Sequence, residues 1–184
     1  YLVWGQNQFM FAKNYGIEEN KLKIIGSPSH DLLFNKNQKK FKNDYVLLAT
    51  SSPTSSMIKD LTIDTLEEYD NIIKHISEVV TKNKKNLIIK LHPFQEELDV
   101  TNFVKEINPD IKIIKSGDIT PLIKNCSIFL TIDISTTILE AQFFSKPVIS
   151  VSVKNYDWGT PAIFESNSCI RANIGSFEKI FLDL

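Results

Sequence analysis

The chain contains 184 residues, 42% hydrophobic and 23% charged, which is enough for the core of one domain of ordinary size, or of one domain with a piece of another. Its net charge of -1 argues against general nucleic-acid binding, and its two cysteines lack the spacing and the histidine neighbours of a metal site. No apolar run approaches the roughly 20 residues of a membrane-spanning helix, and the sequence contains no recognisable signal peptide.

The chain opens with short elements. An apolar strand is predicted at residues 1–4 and a helix at residues 6–15, which Gly16 would end because glycine adopts the left-handed conformation easily. A second short strand is predicted at residues 23–25. Because the chain begins at Tyr1 rather than at an initiator methionine, we expect it to be a piece of a longer protein.

A polar segment rich in asparagine and lysine, residues 32–44, predicts a linker between two domains. We expect residues 1–31 to be the end of one domain with its crossover, and residues 45–184 to form a second domain.

In the second domain, apolar strands alternate with helical patterns. The predicted strands are residues 45–50, 87–91, 111–114, 128–132 and 148–151. The predicted helices are residues 63–81, 95–107, 119–124, 136–145 and 177–182. Strands rich in valine, isoleucine and leucine that alternate with helices indicate βαβ units. The sequence therefore predicts an α/β, Rossmann-like fold, in which a parallel sheet carries helices on both faces.

Polar residues follow the first two strands of this domain. Ser51 and Ser52 carry hydroxyls suited to a diphosphate, although a flexible turn that caps the next helix has the same composition. His92 precedes Pro93 and either hydrogen-bonds a ligand phosphate or serves the structure alone. Ligands of open parallel sheets bind outside the carboxyl ends of the strands, so these side chains are candidates for one site.

The most informative segment follows the fourth strand of the domain. Asp133 ends that strand, and Ser135, Thr136 and Thr137 form a hydroxyl cluster at the predicted start of a helix. Backbone N–H groups, hydroxyls and the helix dipole all favour a phosphate there. Glu140 lies four residues after Thr136, where it suits a ribose diol or acts as an ordinary surface carboxylate.

The loop after the third strand carries Ser116 and Asp118. Ser116 and Asp118 lie beside the base of a bound nucleotide, or Asp118 and Thr120 simply cap the short helix that follows. The sequence has no GxGxxG after a strand, no GxxxxGK[ST] and no GxSxG. It therefore predicts neither a conventional dinucleotide site, nor a P-loop, nor a hydrolase elbow.

Three motifs together resemble the C-terminal half of the GT-B fold. They are Ile24-Ile25-Gly26-Ser27-Pro28 with Asp31, then Lys90-Leu91-His92-Pro93, and finally Asp133-Ile134-Ser135-Thr136-Thr137 with Glu140-Ala141 and Lys146-Pro147-Val148. This fold serves nucleotide-sugar glycosyltransferases, UDP-N-acetylglucosamine 2-epimerases, CDP-glycerol glycerophosphotransferases and some bacterial sialyltransferases.

The resemblance implies the donor-binding domain of a glycosyltransferase of surface polysaccharide or glycan synthesis, in the cytoplasm or at the inner face of the membrane. It implies that a nucleotide-activated sugar or polyol is the donor. The resemblance implies that the strand end Lys90-Leu91-His92-Pro93 lies against the donor phosphate, which His92 contacts, and that Ser135, Thr136 and Thr137 hold the phosphate or diphosphate. Asp133 of the third motif is a further candidate for substrate binding, as are Ser51 and Ser52 from their hydroxyls. Glu140 is implied to hold the ribose, with Ser116 and Asp118 near the base. We expect no metal cofactor, because the sequence contains no Asp-x-Asp pair.

The N-terminal half of the fold is implied to bind the acceptor, a glycan or lipid-linked glycan, and residues 1–15 resemble only its last strand and helix. The chain alone is therefore expected to bind the donor without turning it over. Epimerases carry Gly-Gly and two consecutive acidic residues where this chain has Ser135-Thr136 and Leu139-Glu140. This departure favours transferases that use cytidine nucleotides, with an epimerase-like enzyme and a non-catalytic nucleotide-binding module as the alternatives.

Overall fold

In a computed structural model, the protein divides into two compact units, Tyr1–Gln38 and Lys39–Leu184. The described residues are 1–34, 44–51, 63–93, 97–153 and 169–184.

The smaller unit is a short β-α-β arrangement. Its elements are strand β1 (Leu2–Val3), helix α1 (Gln6–Asn14), a 3-10 turn (Glu19–Lys21), strand β2 (Lys23–Ile24) and helix α2 (Pro28–Phe34). The two strands pair in parallel. Gly16 follows α1 with a φ of +86°, as expected of a glycine that ends a helix.

Helix α2 extends into the segment predicted as a linker. It begins at Pro28, a residue whose fixed φ suits the first turn of a helix. The Ser27 hydroxyl lies 2.6 Å from Nδ1 of His30, and the His30 N–H donates to the Ser27 carbonyl. These local bonds stabilise the first turn of α2. The sequence did not predict this helix, because the segment from residue 32 onward is polar and indicates a linker.

The larger unit contains the remaining elements. Its strands are β3 (Tyr45–Ala49), β4 (Asn86–Lys90), β5 (Lys112–Ile114), β6 (Ile128–Ile132), β7 (Val148–Val151) and β8 (Ile170–Ala172). Its helices are α3 (Ile63–Lys82), α4 (Glu97–Ile107), α5 (Thr120–Asn125), α6 (Thr137–Phe143) and α7 (Ile174–Leu182). The prediction of an α/β, Rossmann-like fold is confirmed. Strand β8 was not predicted, and α7 begins earlier than expected.

These six strands form one fully parallel sheet in the order β5-β4-β3-β6-β7-β8. The order reverses between β3 and β6, because the chain builds outward from β3 in one direction and then restarts at β6 in the other. In doubly wound sheets, ligands bind at such a switch point, outside the carboxyl ends of the strands.

Helices cover both faces of the sheet. On one face, α3, α4 and α7 share a hydrophobic cluster with the strands, which includes Ile73, Ile89, Leu130 and Phe177. On the other face, α5 and α6 bury Ile123, Ile138 and Ala141. Burial on both sides explains the nearly continuous apolar character of β3, β6 and β7.

Candidate functional site

A cavity of about 260 Å³ lies at the carboxyl ends of β3, β4 and β6, at the switch point of the sheet. Its described lining is Ala49, Thr50, Lys90, Leu91, His92, Pro93, Gly117, Ile119, Ser135, Thr136 and Thr137. Among these lining residues none is acidic, whereas the hydroxyls, the imidazole and the ammonium can all donate hydrogen bonds. The cavity therefore suits an anionic ligand.

The structure brings four of the predicted site residues together in this lining: His92, Ser135, Thr136 and Thr137. The Ser135 and Thr137 hydroxyls lie 2.7 Å apart, and the Thr137 N–H lies 3.3 Å from the Ser135 hydroxyl oxygen. The Thr136 side chain is exposed. Over the described part of the chain, the N–H groups of Ser135 and Thr136 have no hydrogen-bond acceptor, so both can donate to a ligand.

Asp133 shapes this loop through the backbone. Its φ of +56° is left-handed, a conformation that aspartate tolerates better than most residues and that turns the chain away from β6. Its N–H donates to the Val151 carbonyl, and its carbonyl accepts from the Ser150 hydroxyl at 2.8 Å. The Asp133 carboxylate accepts from the Val153 N–H at 3.0 Å. Asp133 thus joins the ends of β6 and β7, and its contact with a ligand stays a prediction.

The ends of β3 and β4 are also tied together. The Thr50 hydroxyl accepts the His92 N–H at 2.9 Å, and the Thr50 N–H donates to the Lys90 carbonyl. Tyr69 of α3 is buried and donates its hydroxyl to the Ser51 carbonyl. Burial raises the pKa of the Tyr69 phenol well above its ordinary value, so this hydroxyl stays protonated near neutral pH.

The other predicted contacts that belong to the described residues lie around the cavity rather than in its lining. Ser51 follows the lining residue Thr50, and Ser52 lies outside the described residues. Ser116 and Asp118 are exposed on either side of Gly117, which lines the cavity with a φ of +91°.

Glu140 and Asp118 both contact Thr120, at the start of α5. The Thr120 hydroxyl donates to Glu140 Oε2 at 3.3 Å, and the Thr120 N–H donates to Asp118 Oδ1 at 2.9 Å. The second bond satisfies an N–H group of the first turn of α5, although the N-cap position itself is Ile119, which makes no side-chain cap. The half-buried Glu140 therefore links α6 to α5.

Lys90 lines the cavity; the sequence placed it in the Lys90-Leu91-His92-Pro93 motif but assigned it no contact of its own. It is only 6% exposed, and desolvation lowers the pKa of its ammonium below the ordinary value. The available signal was a lysine that ends an otherwise apolar strand. Lys146, in the third motif, instead donates to the Cys126 carbonyl at 2.7 Å. Cys126 precedes β6, so this bond lies at the amino ends of the strands, opposite the cavity.

Among the described residues, the remaining reactive or metal-binding side chains provide no second site. Cys126 and Cys169 are buried free thiols, and burial raises their pKa values to about 12 and about 11 respectively. Within the described ranges, no group of three His, Cys, Asp or Glu side chains could hold a metal ion. None of the described helices combines the length and apolar character that crossing a membrane requires.

Comparison with known proteins adds two similarities to this geometry. A family model described as LIC12162 family transferase matches residues 1–161. A chain in the crystal structure of the GtfA/B complex has a similar fold, with a TM-score of 0.60 and 14% sequence identity. That alignment covers 99% of the present chain and 37% of the other, so the present chain spans little more than a third of its structural neighbour. No curated protein sequence matches.

Proposed function

The chain belongs to the LIC12162 family of transferases, and we propose that it is the donor-binding part of a glycosyltransferase with a GT-B fold. The observation that carries this proposal is the cavity at the switch point, whose described lining contains hydrogen-bond donors and no carboxylate. A nucleotide phosphate matches such a lining, because each of its oxygens accepts hydrogen bonds and carries part of a negative charge.

In this proposal the donor phosphate binds to the loop after β6. The Ser135 and Thr136 N–H groups supply backbone donors, and the hydroxyls of Ser135, Thr136 and Thr137 supply further donors. The left-handed turn at Asp133 leads the chain from β6 into this loop and so sets the direction of these groups. Preorganised donors stabilise charge at little reorganisation cost.

In the transfer step, a hydroxyl oxygen of the acceptor forms a bond to the sugar carbon and gives up its proton to a base. The bond between that carbon and the phosphate oxygen breaks, and the nucleotide leaves with the bonding electrons. His92 lines the cavity, and in its protonated or hydrogen-bonding form it stabilises the charge that develops on the leaving phosphate. We assign the ribose to Glu140 and the base to the Ser116–Asp118 loop. We expect no metal ion to assist, and we expect the acceptor, a glycan or lipid-linked glycan, to bind elsewhere in the whole protein.

Calorimetric titration of the chain with CMP, CDP, UDP and GDP tests this proposal directly. We expect one nucleotide base to bind selectively, with cytidine the leading candidate from the hydroxyl-rich loop. Selective binding would name the donor class, and the absence of binding of all four at millimolar concentration would contradict the proposal.

Substitution of Ser135 and Thr136 by alanine tests the phosphate loop. Each change removes a hydroxyl donor, so we expect nucleotide affinity to fall about 3- to 10-fold per residue. Ser127→Ala is the matched control, because the Ser127 hydroxyl donates to the Tyr45 carbonyl at 2.9 Å, at the amino ends of β3 and β6. Unchanged affinity in Ser135→Ala and Thr136→Ala would show that these two hydroxyls do not contact the phosphate.

A further inference from the structure

Lys90 is a buried cation in the lining of the cavity. It is the last residue of β4, and it pairs in register with Ala49 of β3 and with Ile114 of β5. Residues in register on parallel strands share a face of the sheet, so the lysine stands between two apolar neighbours there. An ammonium in such surroundings is costly unless charge and hydrogen bonds compensate it.

The protein compensates this ammonium only in part. Its Nζ donates to the Lys115 carbonyl at 2.6 Å and to the Leu91 carbonyl at 3.4 Å. Both acceptors are neutral, and across the described residues no carboxylate pairs with Lys90. The lowered pKa has the same origin, since its only cause is desolvation. One of the three ammonium protons has no acceptor in the described structure.

We propose that the Lys90 ammonium is the principal anion-binding group of the cavity and contacts a phosphate of the bound nucleotide. Lys90 belongs to the same lining as Ser135, Thr136 and Thr137, whose donors are neutral. A phosphate between them would accept hydrogen bonds from these donors. It would also be the negatively charged partner that Lys90 does not find among the described carboxylates. Hydrogen bonds between charged partners are about twice as strong as neutral ones.

This inference rests on the proposed function, and it makes a narrower claim about it. If Lys90 contacts the phosphate, it contributes to the affinity for a nucleotide and not to the affinity for the corresponding nucleoside. A lysine that only joins the ends of β4 and β5 through the Lys115 carbonyl would affect both ligands alike.

The test compares CMP, UMP and GMP with cytidine, uridine and guanosine, by calorimetric titration of the chain and of Lys90→Met. We expect the variant to bind the preferred nucleotide about 10- to 100-fold more weakly and to bind the nucleoside as before. Lys146→Met is the matched control, because it also removes a lysine that donates to a carbonyl. That lysine lies at the amino ends of the strands, away from the cavity. That variant should keep the full preference for nucleotide over nucleoside.

The possible results separate the two claims. If the unaltered chain binds none of the nucleotides, the proposed function fails and the inference fails with it. If the chain binds a nucleotide and Lys90→Met keeps the same preference over the nucleoside, only the inference is overturned. An equal loss of nucleotide and nucleoside affinity would assign Lys90 a structural role and would likewise overturn the inference.

A measurement on the unaltered chain keeps the inference testable should Lys90→Met fail to fold. In carbon-13 NMR of the labelled protein, we expect the Cε signal of a lysine to shift on addition of the preferred monophosphate and not of its nucleoside. If no lysine signal responds to the nucleotide alone, Lys90 does not contact the phosphate.

Discussion

Asp133 shows how a side chain predicted to bind the ligand also organises the loop that lines the cavity. Its carboxylate accepts the Val153 N–H, and its carbonyl accepts the Ser150 hydroxyl. The left-handed conformation of Asp133 then directs Ser135 and Thr136 into the lining of the cavity. The side chain of Asp133 indicated a polar role. Only the folded structure shows that its carboxylate accepts a hydrogen bond from the Val153 N–H, just after the end of β7.

Single residues also explain which parts of the site the sequence predicts. The Ser135–Thr137 cluster and His92 were predictable, because polar residues directly after buried strands stand out and all belong to the lining. Lys90 belongs to one of the quoted motifs, but a role of its own was not predictable, because a lysine at the end of a strand usually reaches solvent. Its burial depends on neighbouring strands that are distant in sequence, and so does the partner of Glu140 on α5.

Tyr69→Phe tests the support of the β3 end. The change removes the hydroxyl that donates to the Ser51 carbonyl and leaves that acceptor unpaired. We expect the free energy of unfolding to fall by about 1 kcal/mol in urea denaturation, and nucleotide affinity to fall as well.

Tyr45→Phe is the matched control for Tyr69→Phe. Its hydroxyl donates to the Leu122 carbonyl at 2.7 Å, and Tyr45 begins β3 rather than ending it. We expect this variant to lose a similar amount of stability while it binds nucleotide as before. An equal loss of nucleotide affinity in both variants would contradict a specific role of Tyr69 at the site.

At the scale of whole elements, the accuracy of prediction depends on periodicity. Helix α3 has a long apolar stripe, and β6 and β7 are uninterrupted apolar runs, so their bounds were predicted closely. Strand β8 has only three residues, with the pattern exposed, intermediate, buried. Such a strand is recognisable only through its pairing with β7, which the local sequence does not reveal.

Helix α7 begins at Ile174, three residues before its predicted start. A capping box, which the prediction did not include, fixes this earlier start. The Asn173 side chain accepts the Ser176 N–H at 2.9 Å, and the Ser176 hydroxyl accepts the Asn173 N–H at 3.0 Å. This reciprocal pair satisfies two N–H groups at the helix start. Phe177 and Phe181 then bury the helix against the core shared with α3.

Asn173→Ala should therefore destabilise the protein, because it removes one half of this box. We expect the free energy of unfolding to fall by about 1 kcal/mol, measured by urea denaturation monitored by circular dichroism. Asn173→Asp is the control, since aspartate caps helices about as well as asparagine does. If the aspartate variant loses as much stability as the alanine variant, the cap does not account for the effect.

At the scale of the molecule, the strand order converts scattered sequence signals into one site. The hydroxyl cluster after β6 and His92 after β4 are more than 40 residues apart, yet both belong to one cavity because β3 lies between these strands. The parallel sheet itself was predictable from its buried strands. Its order was not, because that order depends on which way each connection crosses the sheet.

Ala49→Val tests whether this cavity is the nucleotide site. Ala49 lines the cavity from β3, between Lys90 on one side and Thr131 on the other, and is only 4% exposed. Two additional methyl-sized groups would occupy space that the ligand needs, so we expect nucleotide affinity to fall about 10-fold or more. Calorimetric titration measures the loss, and urea denaturation confirms that the variant is folded.

Ala172→Val is the appropriate comparison, because it makes the same change at a buried alanine of the same sheet. Ala172 lies on β8, at the edge of the sheet and away from the described lining of the cavity. Crowding of the core alone would affect both variants similarly, whereas occupation of the site affects only Ala49→Val. Undiminished nucleotide binding by a folded Ala49→Val protein would therefore locate the nucleotide away from the switch point of the sheet.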